Sequence, residues 1–285
     1  MKRFVWLFLV IFILITAIPF IANAVLGETR LCVRVFTGSE IIELDAEEYA
    51  LRVLAAEAEV GQSGETLRAL AVAVRSCAFY FSLYGLKHED FDVCADEDCC
   101  LPLAVYEEID EVLLSACEAA VNETSGEILT LDKLPALALF NRCASSGTRF
   151  CEDLPYLTAV SAEQQCDLHT AQIEVPIDAF MLAFPDFSSD DGSCVVYGEN
   201  KKCEFLILGG KKLSPEAIIS AFSLPSYEFT LEIREESVIF DCFGIGHGCG
   251  LDICRAEALA AQNYDYKELL LLFYPNLTLV KMNSF

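Results

Sequence analysis

Two carboxylates, Glu57 and Glu59, end an otherwise apolar run, Val53-Leu54-Ala55-Ala56-Glu57-Ala58-Glu59. Apolar neighbours disfavour the ionised form, so a carboxyl group held among them keeps its proton to higher pH and can act as a general acid. On a helix, two residues turn the side chain by roughly 200 degrees, so the pair cannot share one cleft. Downstream, His88, Cys94, Cys99 and Cys100 supply four soft or borderline donors within thirteen residues. Such a set suits a closed, structural zinc site. Disulfides or free thiols are the competing reading, although the adjacent Cys99 and Cys100 are poorly placed to bridge each other. A third feature is the loop Gly244-Ile245-Gly246-His247-Gly248-Cys249-Gly250. It lacks the lysine of a phosphate-binding loop and the acidic partner of a dinucleotide site. Glycines let a ligand approach the backbone, and His247 can donate or accept a hydrogen bond. A glycine turn with a structural histidine is the plain alternative.

These residues need elements to hold them. Asp45 followed by Glu48 reads as a helix start, with Tyr49, Val53 and Ala56 at helical spacing behind it. After the break at Gly61 to Gly64, an alanine- and valine-rich helix is expected from Glu65 to Tyr84, stopping at Gly85. A further helix is expected over Glu107 to Val121, then strands at Glu127 to Leu131 and Leu137 to Phe140. The stretch Ile173 to Leu224 mixes short strands with a helix at Ser214 to Phe222. Strands at Glu228 to Ile233 and Ser237 to Cys242 lead into the glycine loop, and helices at Ile253 to Gln262 and Tyr266 to Phe273 follow. Helices and strands do not alternate regularly, which favours an α+β fold.

At the N-terminus, Lys2 and Arg3 precede an uncharged, largely apolar segment from Phe4 to Gly27, long enough to span a bilayer. Positive residues before it predict an extracytoplasmic position for the rest of the chain. Residues 1–27 are thus expected to be a membrane anchor or a signal segment, because Ala22-Asn23-Ala24 also fits a cleavage site. Residues 28–285 would be the extracytoplasmic region. A net charge of -25 argues against nucleic acid or anionic lipid as partner, and is compatible with a neutral chain bound through hydrogen bonds. Fourteen cysteines in an exported chain suggest disulfides, free buried thiols or both.

Several segments, in order, resemble the stage II sporulation protein D (SpoIID) family. They are Glu48-Tyr49 with Val53 through Glu57, Ala71-Val72-Ala73-Val74-Arg75, Thr124-Ser125-Gly126-Glu127, Tyr156-Leu157, His247-Gly248-Cys249-Gly250, and Tyr266 to Pro275. The resemblance implies a lytic transglycosylase that cuts peptidoglycan between N-acetylmuramic acid and N-acetylglucosamine during spore engulfment. It selects Glu57 as catalytic and implies substrate contacts from Arg75, Thr148, His247 and Gly248, although a buried ion pair is equally open to Arg75. A structural zinc on His88, Cys94, Cys99 and Cys100 is also implied, with Cys99 standing where relatives carry histidine. Implied partners are glycan strands, engulfment proteins including a wall amidase, and the membrane. The chain departs from the family at Leu101, Leu103, Asn141 and Ile253, where sugar-contacting polar groups would be expected. Those departures raise a second reading, a glycan-binding or amidase-enhancing engulfment protein without catalysis.

Overall fold

The computed structural model describes residues 32–282 except 86, 97–98, 152, 161–168, 186–193, 198–202 and 209. The expected anchor or signal at 1–27 lies outside the described residues. Helices and strands are mixed without regular alternation, an α+β arrangement.

Two antiparallel strands open the described chain, Cys32–Phe36 and Ile41–Asp45. In the first, Val33 and Val35 point inward between exposed neighbours, as a half-buried strand requires. The short strand Val93–Cys94 pairs in parallel with its other edge, Val35 opposite Val93 and Phe36 opposite Cys94. Asp45 then caps the helix Ala46–Glu57, its carboxylate accepting from the Glu47 and Glu48 N–H groups. Glu48 itself is engaged by Arg52, one turn on, at 2.8 Å.

The helix Gly64–Tyr84 is the centre of the larger core. Ser63 caps its start and Gly85, at φ +56°, ends it in the left-handed conformation. It is the one described helix long and apolar enough to cross a membrane, but it is packed inside protein. From Leu67 to Ala78 only Arg68 is other than buried. Around it lie the helices Ala46–Glu57, Glu111–Glu123, Ile253–Ala260 and Tyr266–Phe273, and the sheet of Thr278–Lys281, Glu127–Leu131 and Leu134–Pro135.

A second core forms from the sheet Glu228–Ile233, Ser237–Phe243, His169–Pro176, with Cys203–Leu208 packed alongside. Phe180, Phe222, Phe229 and Phe240 meet at its centre, ring centroids 5.6–6.5 Å apart. The first core draws on Val33 through Leu157 and again on Leu251 through Leu277, whereas the second uses only Val175 through Cys242. The second module is therefore inserted into the first, and the segments entering and leaving it form the candidate site.

Candidate functional site

Residues scattered through the sequence converge on Arg75. It is fully buried, and its guanidinium donates to Glu47 at 2.6 and 3.0 Å, to the Glu127 carbonyl at 3.0 Å and to the Val121 carbonyl at 3.3 Å. The other oxygen of Glu47 accepts from Gly126 N–H at 2.9 Å. The Glu127 carboxylate accepts from the Tyr266 hydroxyl, and Glu65 accepts from Tyr266 N–H at 2.8 Å. Of the two roles open to Arg75, the buried ion pair is the one the structure realises, and Arg75 does not reach the cleft. Removing one partner of a buried pair leaves the other without compensation. Arg75→Met should lower stability by about 3 kcal/mol, toward the low end for such pairs because Glu47 is partly exposed. A denaturant midpoint unchanged from the parent would contradict that brace.

This brace fixes the helix that ends in Glu57. Glu57 is its last residue and is half-buried. Ala58 N–H still bonds back to the Leu54 carbonyl at 2.9 Å, and the following turn is held by Gln62 accepting from Glu59 N–H at 3.0 Å. Glu257 then accepts from both Ser63 N–H and its hydroxyl at 3.0 Å, tying the turn to the helix Ile253–Ala260. Arg142 reaches in from another segment, 3.4 Å from the Glu57 carbonyl and 3.1 Å from the Glu59 carboxylate. Glu57 and Glu59 do not share a helix: the helix ends at Glu57 and Ala58 is extended, so the expected helical separation does not apply, and one Arg142 nitrogen reaches both segments. Glu59 is largely exposed and balances the arginine.

Arg142 precedes a loop that forms one wall of a cleft of about 430 Å³, running from Cys143 through Arg149 and facing Ser226, Tyr227 and Glu228 of the second module. Gly246 and Gly248 complete the lining together with Cys203 and Glu204. The glycine loop is pinned here because Gly244, Gly246 and Gly250 have positive φ and lie against backbone or side chain. A Cβ on Gly250 would lie 1.8 Å from the Leu139 carbonyl oxygen, which no rearrangement of a side chain could relieve. Gly248 N–H donates to the Asn141 side chain at 3.1 Å, and Gly248 O accepts from Arg149 N–H at 2.7 Å. The Thr148 hydroxyl lines the cleft and also accepts from Val160 N–H at 2.8 Å. Arg149 stacks over Tyr227 at 4.3 Å and pairs with Glu216 at 2.9 Å.

His247 faces inward within the loop. Its Nδ1 accepts from Cys249 N–H at 3.0 Å, so the neutral ring carries its proton on Nε2. Burial, reinforced by the charge of Arg149 and opposed by a bond to the Phe140 backbone, pushes its pKa down to about 4. The ring is therefore neutral near pH 7. A disulfide between Cys151 and Cys249 closes the same loop against the 147–151 segment. Chain-entropy reasoning gives such a long closed loop roughly 4.7 kcal/mol of stabilisation. Cys249→Ser should lower the melting midpoint measurably under oxidising conditions and have no effect under reducing ones. A shift of equal size in both would point to packing in place of the cross-link.

On the opposite side of the Glu57 helix, the sulfurs of Cys94, Cys99 and Cys100 and a ring nitrogen of His88 lie within 4.8 Å of one another. His88 Nε2 is 3.4 Å from the Cys100 sulfur and 3.8 Å from that of Cys99, and the two sulfurs are 4.0 Å apart. Tetrahedral zinc with ordinary bond lengths spaces nitrogen and sulfur by about 3.6 Å and two sulfurs by about 3.8 Å. The donors therefore fit the ion closely. Cys94 is placed by its strand pairing, and Asp92, bonded to both Arg34 N–H and its guanidinium at 2.9 Å, anchors the segment. Tyr49 adds a second sign of fit. Its hydroxyl is buried without a hydrogen-bond partner among the described residues, in electrostatic reach of Cys77, Cys100 and Cys94. Metal-bound thiolates would give it an acceptor.

Sequence reasoning missed Arg142, the stacked Arg149 and Tyr227, and the Cys151–Cys249 pairing. All of these arise from contacts between distant segments, and no local signal marks them. Residues 37–131, about a third of the chain, match the family model described as SpoIID, stage II sporulation protein. The matched segment includes Glu57, Arg75 and the His88–Cys100 cluster, while Thr148, His247 and Gly248 lie beyond it. An uncharacterized protein of Brachyspira hyodysenteriae is 26% identical over 261 residues, covering 85% of this chain and 68% of that protein. Residues 37–131 thus carry a segment similar to the SpoIID family of stage II sporulation proteins, a family associated with sporulation and with degradation of cell-wall peptidoglycan.

Proposed function

We propose that this chain is a lytic transglycosylase acting on peptidoglycan glycan strands, with Glu57 as its single catalytic carboxyl. The observation that carries the reading is the placement of Glu57: it ends a braced helix within the SpoIID segment, beside Arg142 and the cleft-lining loop. The neutral carboxyl gives its proton to the glycosidic oxygen as that bond breaks. The carboxylate then takes the proton of the muramic acid C6 hydroxyl as its oxygen bonds to C1, forming the 1,6-anhydro ring and restoring the acid. No second carboxylate is needed, because the nucleophile is internal to the substrate.

In this reading Thr148, Gly248 and the backbone around His247 position the sugar chain, and Arg75 acts by holding the helix. The cluster His88, Cys94, Cys99 and Cys100 holds a structural zinc that fixes the far side of the same helix. Residues 1–27 tether or export the chain, 28–285 work outside the cytoplasmic membrane, and engulfment partners including a wall amidase supply peptide-stripped strands. Mass analysis of products from intact and peptide-stripped peptidoglycan tests this. Anhydro-ended fragments are expected, preferentially from the stripped material.

One observation favours a second reading, a glycan-binding or amidase-enhancing protein without catalysis. Ile253 is buried, and Leu101 and Leu103 pack against the first core, where polar groups contacting sugar were expected. Co-sedimentation with glycan and no fragment release would select that reading.

A further inference from the structure

A second donor set lies outside the His88–Cys100 cluster, at the junction of the two modules. Cys143, Asp252 and Cys254 each offer one donor atom, and these lie within 4.8 Å of one another. They come from segments distant in sequence whose backbones are held in register. Leu251–Asp252 pairs in parallel with Phe140–Asn141, and Cys254 N–H donates to the Arg142 carbonyl at 3.1 Å. Cys143 is itself fixed by reciprocal backbone bonds to Ile245, at 2.8 and 3.1 Å. The donors are therefore brought together by main-chain pairing and not by side chains that drift.

We propose that Cys143, Asp252 and Cys254 form a second, open metal site for a borderline divalent cation of the zinc class. Two sulfurs and one carboxylate oxygen match that class of ion and disfavour magnesium or calcium, which take oxygen ligands. Asp252 is 1% exposed and Cys143 2% exposed, so neither is a solvated surface group. Each Asp252 oxygen accepts one backbone N–H, from Ala144 at 3.0 Å and from Arg255 at 3.1 Å. Those bonds orient the carboxylate and leave each oxygen a second lone pair for a metal. Cys254 is exposed, so a fourth position opens toward solvent. Two thiolates and a carboxylate exceed the charge of a divalent ion by one, and the Arg142 guanidinium near Cys254, shared with Glu59, offsets part of it. Because Arg142 also touches the Glu57 carbonyl, the site adjoins the end of the Glu57 helix without including it.

The test uses the full chain, purified without oxygen in a non-thiol reductant, stripped of metal and titrated with cobalt(II) or zinc. Two equivalents are expected. Cys143→Ser with Cys254→Ser should lose one equivalent and about two-fifths of the thiolate-to-cobalt absorption, the share of two sulfurs among five. Cys99→Ser with Cys100→Ser should lose the other equivalent and leave this one. Cys254→His, a milder change at an exposed position, should keep both equivalents with one thiolate fewer. The proposal is overturned if the Cys143/Cys254 double variant binds as much metal as the parent. It is equally overturned if the parent binds only what the Cys99/Cys100 variant loses, in which case a Cys143–Cys254 disulfide found by peptide mapping in air would identify the pair as a redox couple. Metal content is read without any glycan present, so failure here is separate from failure of the Glu57 assignment.

Discussion

Glu57→Gln is expected to lower release of anhydromuramyl fragments by a factor on the order of 10² to 10⁴, the range in which a positioned acid and base contribute. Glutamine has nearly the same shape and helix propensity, so the helix Ala46–Glu57 and its packing should be unchanged. What it lacks is a proton to give to the glycosidic oxygen and a basic oxygen to take one from the C6 hydroxyl. Both halves of the reaction fail together, and the loss should appear in kcat with little change in glycan binding. Glu59→Gln is the matched control. That carboxylate lies beyond the helix end, is largely exposed, and pairs with Arg142 at 3.1 Å, so its removal should change stability by less than about 1 kcal/mol. It would, however, leave Arg142 unbalanced near Glu57, stabilising the anion there. The alkaline limb of the rate profile should then move to lower pH, since the acid must be protonated to act. Turnover retained in Glu57→Gln would remove Glu57 from the chemistry, and equal loss in both variants would place the effect in the local fold.

Much of the scaffold was readable because its signals are local. Tyr266–Phe273 matches the expected helix, and its start carries a true capping box between Asp265 and Glu268. The strands Glu228–Ile233 and Ser237–Phe243 also lie where they are expected, with Phe243 added. The expected helix at Glu107 begins later because the Asp110 carboxylate accepts from the Val112 and Leu113 N–H groups, starting it at Glu111 and leaving Tyr106–Glu108 as a separate turn. Of the expected strand Leu137 to Phe140, only Phe140 lies in a sheet, in the strand Phe140–Asn141. The Tyr156 hydroxyl bonds both N–H and carbonyl of Leu137, so a side chain from a distant segment takes the place of a neighbouring strand.

Glu57 was legible through ordered family motifs, and the structure adds what those motifs do together. Glu65, Arg75, Gly126, Glu127 and Tyr266, with Glu47, form one half-buried network around the fully buried Arg75, behind the helix that ends in Glu57. The cleft was only half legible. Thr148 and Gly248 line it, yet its opposite wall comes from Ser226 to Glu228 in the inserted module, a juxtaposition that depends on how the two cores pack. No periodicity encodes that.

A large stability effect is expected at the His88–Cys100 cluster, where, with zinc bound as proposed, its removal should lower the melting midpoint by about 10 °C. A ligand present at a thousand times its dissociation constant stabilises by about 4 kcal/mol, and in a chain of this size each kcal/mol moves the midpoint by about 2–4 °C. The effect should stop short of unfolding the protein, unlike a small zinc finger, because the strand Val93–Cys94 remains paired with Cys32–Phe36 and Asp92 remains bonded to Arg34. What loosens is the segment from His88 to Cys100 and, through it, the packing against Tyr49 in the Glu57 helix. Chelator added to the parent and the His88→Ala substitution should therefore give similar shifts, with added zinc restoring the first and not the second. Activity should fall in both, less than in Glu57→Gln, because the helix is also held by Arg75 from its other side. A midpoint insensitive to chelator, together with unchanged metal content in His88→Ala, would show that the four donors serve as thiols and a ring packed together, and the brace behind Glu57 would then rest on Arg75 alone.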